Sequence, residues 1–298
     1  MQHKPWLALE TSTDTLSIAV SRDAQTWAHT SAGGAQSSAQ TLPQTLRLMA
    51  QAGLAFADLQ AVVFGRGPGA FTGLRTACSV AQGLAFGADV PVLPIDTLLA
   101  VAEEARRACA AVANDAPPSP MQDSQSQDLP VTPQPLTPVS RVLAVLDARM
   151  DQVYVAAYEC DISDDRQAHS DSAHTVVPVP VWRCVQETEL QNPETLRWPS
   201  AWTADEACAL SDGSLGTRDP AFIAAGNAWG VYAGRWPEAF TVPQITALPT
   251  ASALLRLAPQ AWAQGRAVPP EEALPLYIRD KVAQTTEERM LAKQQSAA

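Results

Sequence analysis

Charged residues are scarce in this sequence, and basic residues are the scarcer kind. Asp, Glu, Lys and Arg make up 17% of the 298 residues, and 20 basic against 31 acidic residues leave a formal net charge of −11. A net-acidic chain repels phosphate backbones, so a strong grip on nucleic acid by this chain alone is not expected. It can still serve as the acidic partner in a larger complex.

Patterns for metal binding and for disulfides are also missing. The five cysteines are an odd number without a C-x-x-C pair, which argues against a zinc knuckle or a disulfide framework and suits a reducing cytosol. The four histidines form no H-E-x-x-H motif and no i, i+4 pair. We therefore expect no metal site.

Three further absences narrow the function. Without a G-x-x-x-x-G-K-[ST] motif the chain is not a P-loop ATPase, and without G-x-S-x-G it lacks the commonest serine-hydrolase elbow. The apolar run near the start ends at Glu10, too soon for a signal-peptide core or a membrane span. A cytoplasmic protein with no membrane partner is expected.

The hydrophobic pattern predicts alternating strands and helices, and hence an α/β fold. The predicted strands cover 6–9, 16–20, 25–31, 61–64, 92–95, 142–146, 153–158, 176–182, 221–225 and 274–278. The predicted helices cover 37–53, 72–87, Asp96 to about residue 108, and 250–265. Pro43 is expected to start or bend the first helix, and Asp96 is expected to cap the third.

Two lobes are expected, at 1–113 and 140–283. Between them, 114–139 carries seven of the 24 prolines among Ser, Gln and Asp, which predicts a disordered insertion. A helix at 250–266 is expected to pack back on the first lobe, and a polar tail follows at 284–298. The polar stretch 161–175 is predicted to be a loop.

The two lobes open with a similar hairpin. Residues 6–20 and 142–158 each give an apolar strand, an acid (Glu10, Asp147), a tight turn and an alternating strand, which suggests an ancient duplication. Such turns could cradle a phosphate, or they could be ordinary Ser/Thr/Asp turns. The candidate residues in the two turns are Glu10, Thr11, Ser12, Asp147 and Arg149. Asp147 and Arg149 could simply pair with each other.

The strongest local signal is GRGPGAFTGLR at 65–75, between a predicted strand and a predicted helix. Alternate glycines can take positive φ and turn their N–H groups one way, and Thr72 can cap the helix, so the loop could hold an anion. A tight strand-to-helix corner is an equal alternative. The candidate loop residues are Gly65, Arg66, Gly67, Pro68, Gly69, Thr72, Gly73 and Arg75.

A dinucleotide fingerprint overlaps the same loop. Gly65-x-Gly67-x-x-Ala70 fits its looser form, with Asp96 as the ribose acid. The fingerprint normally follows the first strand of a domain, whereas here three predicted strands precede it and Pro68 stiffens the loop. A nicotinamide or flavin enzyme is therefore the weaker hypothesis.

Stripes of small and apolar residues follow the helices 37–53 and 72–87. Most such stripes are core, but they can also form the surface that meets a second subunit. The candidate interface residues are Leu42, Leu46, Met49, Leu74, Ala77, Cys78 and Ala81.

Four segments resemble one known family. ALETSTDTLSIAV, FGRGPGAFTGLRTACSVAQGLAFG, VLAVLDARMDQVYVAAYE and LPLYIRDKVA, in this order, are similar to the TsaB (YeaZ) family of bacterial tRNA threonylcarbamoyladenosine biosynthesis proteins. The resemblance covers the loop residues, Asp147 and Arg149, and Tyr277 and Arg279 as a C-terminal signature.

This resemblance implies a two-lobed fold of the actin, sugar-kinase and heat-shock ATPase (ASKHA) class, with duplicated ribonuclease-H-like lobes. It implies a non-catalytic dimerisation or scaffold subunit that supports threonylcarbamoyl transfer by the paralogue TsaD, together with the ATPase TsaE. The chain alone would be a homodimer, and tRNA would be met only through the complex. No catalytic residue and no cofactor are expected, and vestigial nucleotide binding is left open.

The sequence also departs from the family. Glu10 stands where Asp is usual, Ser37 where some relatives have His, and Asp151 where Gly is common. Glu10 pushes its carboxylate out by one methylene, which weakens any phosphate or metal role. The alternative function is a stand-alone nucleotide-binding transferase or kinase of the same fold class. A metallopeptidase is a third, which the missing histidine ligands argue against.

Overall fold

The computed structural model of the chain describes residues 4–114, 139–161, 180–202, 221–238, 240 and 242–279. Apart from its two end residues, the predicted insertion 114–139 lies outside these residues, as does the whole predicted tail 284–298. The predicted loop 161–175 also lies outside them, except for Asp161.

The first sheet has five strands. They are β1 (Trp6–Glu10), β2 (Thr15–Arg22), β3 (Gln25–Ala32), β4 (Ala61–Gly67) and β5 (Val92–Asp96). Their order in the sheet is β3-β2-β1-β4-β5. The strands joined by tight turns pair antiparallel, whereas β4 and β5 follow helical connections and pair parallel.

The second sheet repeats this plan. Its strands are β6 (Val139–Asp147), β7 (Val153–Asp161), β8 (Val181–Gln191), β9 (Ala221–Ala225) and β10 (Gln244–Ile245). Read from β8, their order is β8-β7-β6-β9-β10, with the same antiparallel and parallel pairings as in the first sheet. This match confirms the duplication that the two hairpins predicted.

Five α-helices connect and cover the sheets in the described part of the chain. They are α1 (Ser37–Ala52), α2 (Phe71–Ala88), α3 (Thr97–Asn114), α4 (Ala228–Val231) and α5 (Ala251–Ala263). Helices α1 and α2 lie on the outer face of the first sheet, whereas α3 and α5 pack on each other and on its inner face. None of the described helices is long and apolar enough to cross a bilayer.

Alternation along β1 divides the first lobe's core in two. Leu7 and Leu9 belong to an outer core with α1 and α2, whereas Ala8 belongs to a central core with α3 and α5. The central core continues into the second sheet through residues such as Val142 and Ala144. A third, aromatic core lies on the far face of that sheet. The two sheets therefore share one apolar layer.

One expectation about local structure was wrong, and one was right only in part. Helix α1 starts at Ser37, so Pro43 lies inside it with its ring exposed and does not mark its start. No strand forms at 274–278. That segment is irregular, with a backbone bond from the Leu276 N–H to the Arg66 carbonyl at 2.6 Å.

The predicted strand at 176–182 lies only partly within the described residues. Strand β8 begins at Val181 and runs to Gln191, where the sequence pattern is mixed. Residues 176–179 lie outside the described part of the chain.

Candidate functional site

A cleft of about 260 Å³ lies where the two hairpins face each other. Its walls come from the turn at 12–14, the loop at 69–71, the turn at 146–150 and the segment 276–279. We call residues 11–14 the first turn, residues 148–151 the second turn, and residues 273–279 the C-terminal strap. The cleft therefore collects both predicted phosphate turns and part of the glycine-rich loop.

The glycine-rich loop docks directly on the first turn. The Ala70 N–H donates to the Ser12 carbonyl at 2.7 Å, and the Thr11 hydroxyl donates to the Gly73 carbonyl at 2.6 Å. A Cβ on Gly69 would lie 2.4 Å from the Ser12 oxygen, and one on Gly73 would lie 1.8 Å from the Thr11 oxygen. These two glycines are therefore needed for close backbone approach.

The expectation that alternate glycines of this loop take positive φ was right only for Gly67. Its φ is 123°, whereas Gly65 and Gly69 are outside the left-handed region. Gly65 is required for space, because a Cβ there would lie 1.8 Å from Oε2 of Glu10. Pro68 is buried between Gly67 and Gly69.

The predicted cap of α2 was also wrong. The helix begins at Phe71, so its N-cap position is Ala70, which makes no side-chain cap bond. Thr72 is the second helical residue, and its carbonyl accepts from the Thr76 hydroxyl at 3.0 Å. At the start of α2, Ala70 is therefore held by its backbone bond to the first turn and not by a hydroxyl cap.

The side chains of the loop's two arginines each bond to another residue of this chain. Nε of Arg66 lies 2.5 Å from Oδ1 of Asp96, whose other oxygen lies 3.5 Å from Arg266. Asp96 thus carries an ion pair, where the sequence predicted a cap or a ribose acid. Arg75 stacks on Phe71 at 3.8 Å and donates to the Tyr277 hydroxyl at 3.1 Å.

Glu10 lies behind the first turn and is not part of the cleft wall. Its Oε1 accepts from the Ser12 N–H at 2.6 Å, while Oε2 has no hydrogen-bond partner. The residue is 1% exposed, and this burial raises the pKa of its carboxyl above the ordinary value, against the lowering effect of the Ser12 hydrogen bonds. The predicted phosphate acid is therefore a buried group beside Gly65.

At the end of β6, next to the second turn, Asp147 is held by three neighbours. Oδ1 of Asp147 accepts from the Tyr232 hydroxyl and from the Arg149 N–H, each at 2.8 Å. The Asp147 N–H donates to Oδ1 of Asn227 at 3.0 Å. Burial first, and then the bond to Asp147, raises the pKa of Tyr232 to about 12, so the phenol stays a donor.

Arg149 joins the two turns. Its guanidinium lies 3.2 Å from Oδ2 of Asp147 and 3.0 Å from Oδ2 of Asp14. The predicted pairing with Asp147 is thus present, and the link to Asp14 adds a contact between the lobes. Because the Arg149 and Asp14 side chains are 71% and 83% exposed, this second pair contributes little to stability. It places a cation across the cleft.

The second turn carries backbone strain. Arg149, Met150 and Asp151 have φ values of 61°, 56° and 57° in succession. Each left-handed non-glycine residue costs roughly 1–3 kcal/mol and persists only where the surroundings enforce it. Here Arg235 holds Asp151 at 2.6 Å, and Arg279 of the strap donates to the Arg149 carbonyl at 3.1 Å.

A family model described as "TsaD: tRNA N6-adenosine threonylcarbamoyltransferase" matches residues 19–121. The tRNA threonylcarbamoyladenosine biosynthesis protein TsaB of Escherichia coli K12 is 26% identical over 279 residues, covering 93% of this chain and 95% of that protein. Its namesake from Haemophilus influenzae is 28% identical, covering 95% of this chain and 96% of that protein.

A solved structure decides the family. YeaZ from Pseudomonas aeruginosa is 30% identical, and the match covers 92% of this chain and 100% of that one, with a TM-score of 0.65. The chain belongs to the TsaB (YeaZ) family. Together with the repeated strand order, this membership gives the duplicated two-lobed ASKHA fold that the resemblance implied.

The interface predicted for this TsaB-family chain needs correction. Leu42 and Leu46 of α1 are 44% and 51% exposed and can meet a partner. The remaining candidates are at most 4% exposed and belong to the chain's own core or lie beneath the loop: Met49, Leu74, Ala77, Cys78 and Ala81. A helical stripe shows that a face is buried, but the covering surface is this chain's own first sheet.

Several residues of this TsaB-family chain that the sequence did not single out hold parts of the site. Tyr232 and Gln152 bond to residues at the second turn or the strap, and Leu276 bonds the strap to Arg66; Phe86 of α2, also not singled out, is 77% exposed. The hydrogen bonds of Tyr232 and Leu276 join residues far apart in sequence, so a local sequence pattern could not predict them. Among the described residues, no group of three His, Cys, Asp or Glu side chains could hold a metal ion.

Proposed function

We propose that this chain is a non-catalytic subunit of the machinery that makes threonylcarbamoyladenosine in tRNA, and that it supports a TsaD-type transferase. Family membership supports the pathway, because the curated relatives that align over nearly the whole chain are named for this biosynthesis. The scaffold role and the partner are the finer part of the proposal.

The observation that carries the scaffold role is the state of the cleft. The cation of Arg149 stands between Asp14 and Asp147, where two phosphate turns would otherwise face a ligand. The remaining acid, Glu10, is buried behind the first turn. Arg149 and the two aspartates pair with one another, and no complete set of nucleophile, base and anion donor remains among the described residues of the cleft.

The exposed apolar side chains of α1 and α2 are the proposed docking surface. Leu42, Leu46 and Phe86 are large apolar side chains that are exposed to solvent. We assign this surface to the TsaD-type paralogue, because the TsaD family model matches residues 19–121, which contain both helices. Two related lobes can meet through the same helices about an approximate two-fold axis, as two copies of this chain would when alone.

Co-purification of tagged chain with TsaD from the same bacterium tests the surface. Leu46→Arg should abolish capture and leave the circular dichroism and melting temperature unchanged. The matched control is Val231→Arg, because Val231 is 56% exposed on α4 of the other lobe. Capture that survives in Leu46→Arg and in Leu42→Arg would refute the assignment. Arginine at the buried Ala77 or Ala81 tests only folding.

We further propose that TsaE joins this assembly and that tRNA is met through the complex. The net charge of −11 supports weak binding of tRNA by the isolated chain. Filter binding at physiological salt should give retention with the TsaD-containing complex and almost none with the chain alone. Tight, salt-resistant binding by the isolated chain would contradict this.

A second candidate function is a stand-alone nucleotide-binding transferase or kinase. Two buried hydroxyls without partners, on Ser12 and Thr13 beside the cleft, favour it. Calorimetric titration of the isolated chain with Mg-ATP separates the candidates. The scaffold proposal expects no saturable heat. Saturable heat that disappears in Ser12→Ala but persists in the exposed control Ser79→Ala would favour the enzyme.

A further inference from the structure

We infer that the C-terminal strap and the second turn form a latch that sets the opening of the cleft between the lobes. The inference concerns the isolated chain and does not depend on the proposed function.

The strap is fixed to the first lobe at its beginning. Ala273 is fully buried, and its carbonyl accepts from the amide of Gln82 on α2 at 3.0 Å. Three residues later, the Leu276 N–H donates to the Arg66 carbonyl at 2.6 Å. The Leu276 carbonyl oxygen occupies the position of a missing side chain, 2.6 Å from a Cβ built on Gly67. The strap is thus in close backbone contact with the end of β4.

The middle of the strap rests on the start of α2. The Tyr277 ring centroid is 5.2 Å from that of Phe71, and its hydroxyl accepts from Arg75 at 3.1 Å. Both rings line the cleft. These hydrogen bonds and this ring contact of residues 273–277 are all with the first lobe.

The last described residue of the strap crosses to the second lobe. Nη2 of Arg279 donates to the Arg149 carbonyl at 3.1 Å and to Oε1 of Gln152 at 2.6 Å, and Nη1 lies 3.3 Å from the sulfur of Met150. A guanidinium presents five N–H donors in a rigid planar fork, so it can bind several acceptors of one turn in a fixed geometry. Arg279 therefore grips the second turn from the first-lobe side.

The second turn is a suitable element for such a grip. Its three consecutive left-handed residues, 149–151, are held from outside by Arg235 and Arg279. Strained backbone of this kind relaxes when its restraints are removed. Release of Arg279 should therefore relax the turn, and relaxation of the turn should loosen the strap, because coupling between two sites is reciprocal.

Hydrogen exchange on the full chain, followed by mass spectrometry, tests this coupling. Arg279→Ala should speed exchange in the peptide covering 148–152 about ten-fold, as expected for loss of a charge-assisted bond. In the reverse direction, Gln152→Ala should speed exchange of the Leu276 amide. Arg107→Ala, which removes an exposed cation from α3, is the control and should change neither peptide.

A distance measurement gives the second readout. Two spin labels can be attached without using cysteine, at the exposed residues Ser79 and Glu187, one in each lobe. The distances between them should form a narrow distribution, which broadens in Arg279→Ala. If Arg279→Ala changes exchange only within the strap, or Gln152→Ala leaves Leu276 protected, the latch is refuted. An unchanged distance distribution in Arg279→Ala would also overturn it.

Discussion

Oε2 of Glu10 stands 1.8 Å from the position that a Cβ on Gly65 would occupy. Glu10 is 1% exposed, so its carboxyl is enclosed by the protein and does not reach solvent. The end of β1 and the end of β4 are therefore matched residue by residue: the longer acid at position 10 requires the absence of a side chain at position 65.

Gly65→Ala should lower the free energy of unfolding by about 3 kcal/mol, since the new methyl group overpacks a buried carboxyl. Urea denaturation measures the loss. Glu10→Asp shortens the acid by one methylene, so the double variant should lose less than the sum of the two single variants. Gly83→Ala is the control: it lies in α2 with no atom within 4 Å of its built Cβ, and should gain about 0.5–1 kcal/mol. Equal losses at 65 and 83 would refute the clash.

Glu10→Gln should remove one source of pH dependence. Burial raises the pKa of Glu10 in the folded chain above its unfolded value, so its contribution to stability is complete below the unfolded pKa and is lost as pH rises through the folded pKa. Relative to the glutamine variant, the wild type should become less stable between about pH 4 and neutrality. Urea titrations across this range measure the difference, and parallel curves would contradict the prediction.

Glu103→Gln should have the opposite pH dependence. Burial of this fully buried carboxyl would raise its pKa, but Arg106, bonded at 2.8 Å, and Arg256 outweigh burial and lower it. The stabilising contribution is thus present above the unfolded pKa and is lost as pH falls through the folded one.

At neutral pH the Glu103→Gln variant should be about 3–5 kcal/mol less stable, because two cations lose their buried partner. The gap should narrow below about pH 4. Glu104→Gln is the control: its carboxyl also meets Arg256, at 2.8 Å, but is 26% exposed, and we expect a loss near 1 kcal/mol. If the difference in unfolding free energy between wild type and Glu103→Gln did not change with pH, the charge of Glu103 would not be the source of its stabilising effect.

Asp89→Gly should stabilise the chain by about 1 kcal/mol. Asp89 ends α2 with φ of 54°, a left-handed position that glycine takes without strain, and its charge opposes the helix dipole at that end. Asp89→Asn removes only the charge and should give part of the gain. Thermal unfolding measures both, and a lower melting temperature in Asp89→Gly would contradict the assignment of strain.

The strands and helices were largely readable because their apolar periods are clear. Alternation at Leu16, Ile18 and Val20 gave β2, and the three- and four-residue spacing of Leu74, Ala77 and Ala81 gave α2. The same spacing could not say what covers Ala77 and Ala81, since an apolar face packs equally well on a partner or on the chain's own sheet. It was the chain's own sheet.

The candidate site was only partly predictable. The glycine-rich loop and both turns could be located, because tight corners need specific residues. Their roles could not, because they depend on contacts such as Tyr232 with Asp147 or Arg279 with Arg149, which join distant parts of the chain. At 274–278, alternating Leu274, Leu276 and Ile278 imitated a strand, yet only one backbone bond to β4 forms.

The layer shared by α3, α5 and both sheets has a practical consequence for dissecting the molecule. A fragment ending after α3 and a fragment starting at β6 would each carry one half of a common apolar wall. Neither should be soluble when expressed by itself. Co-expressed, the two pieces should reassemble without a covalent connection, which would make the junction between α3 and β6 a natural place to split this protein into a complementing pair.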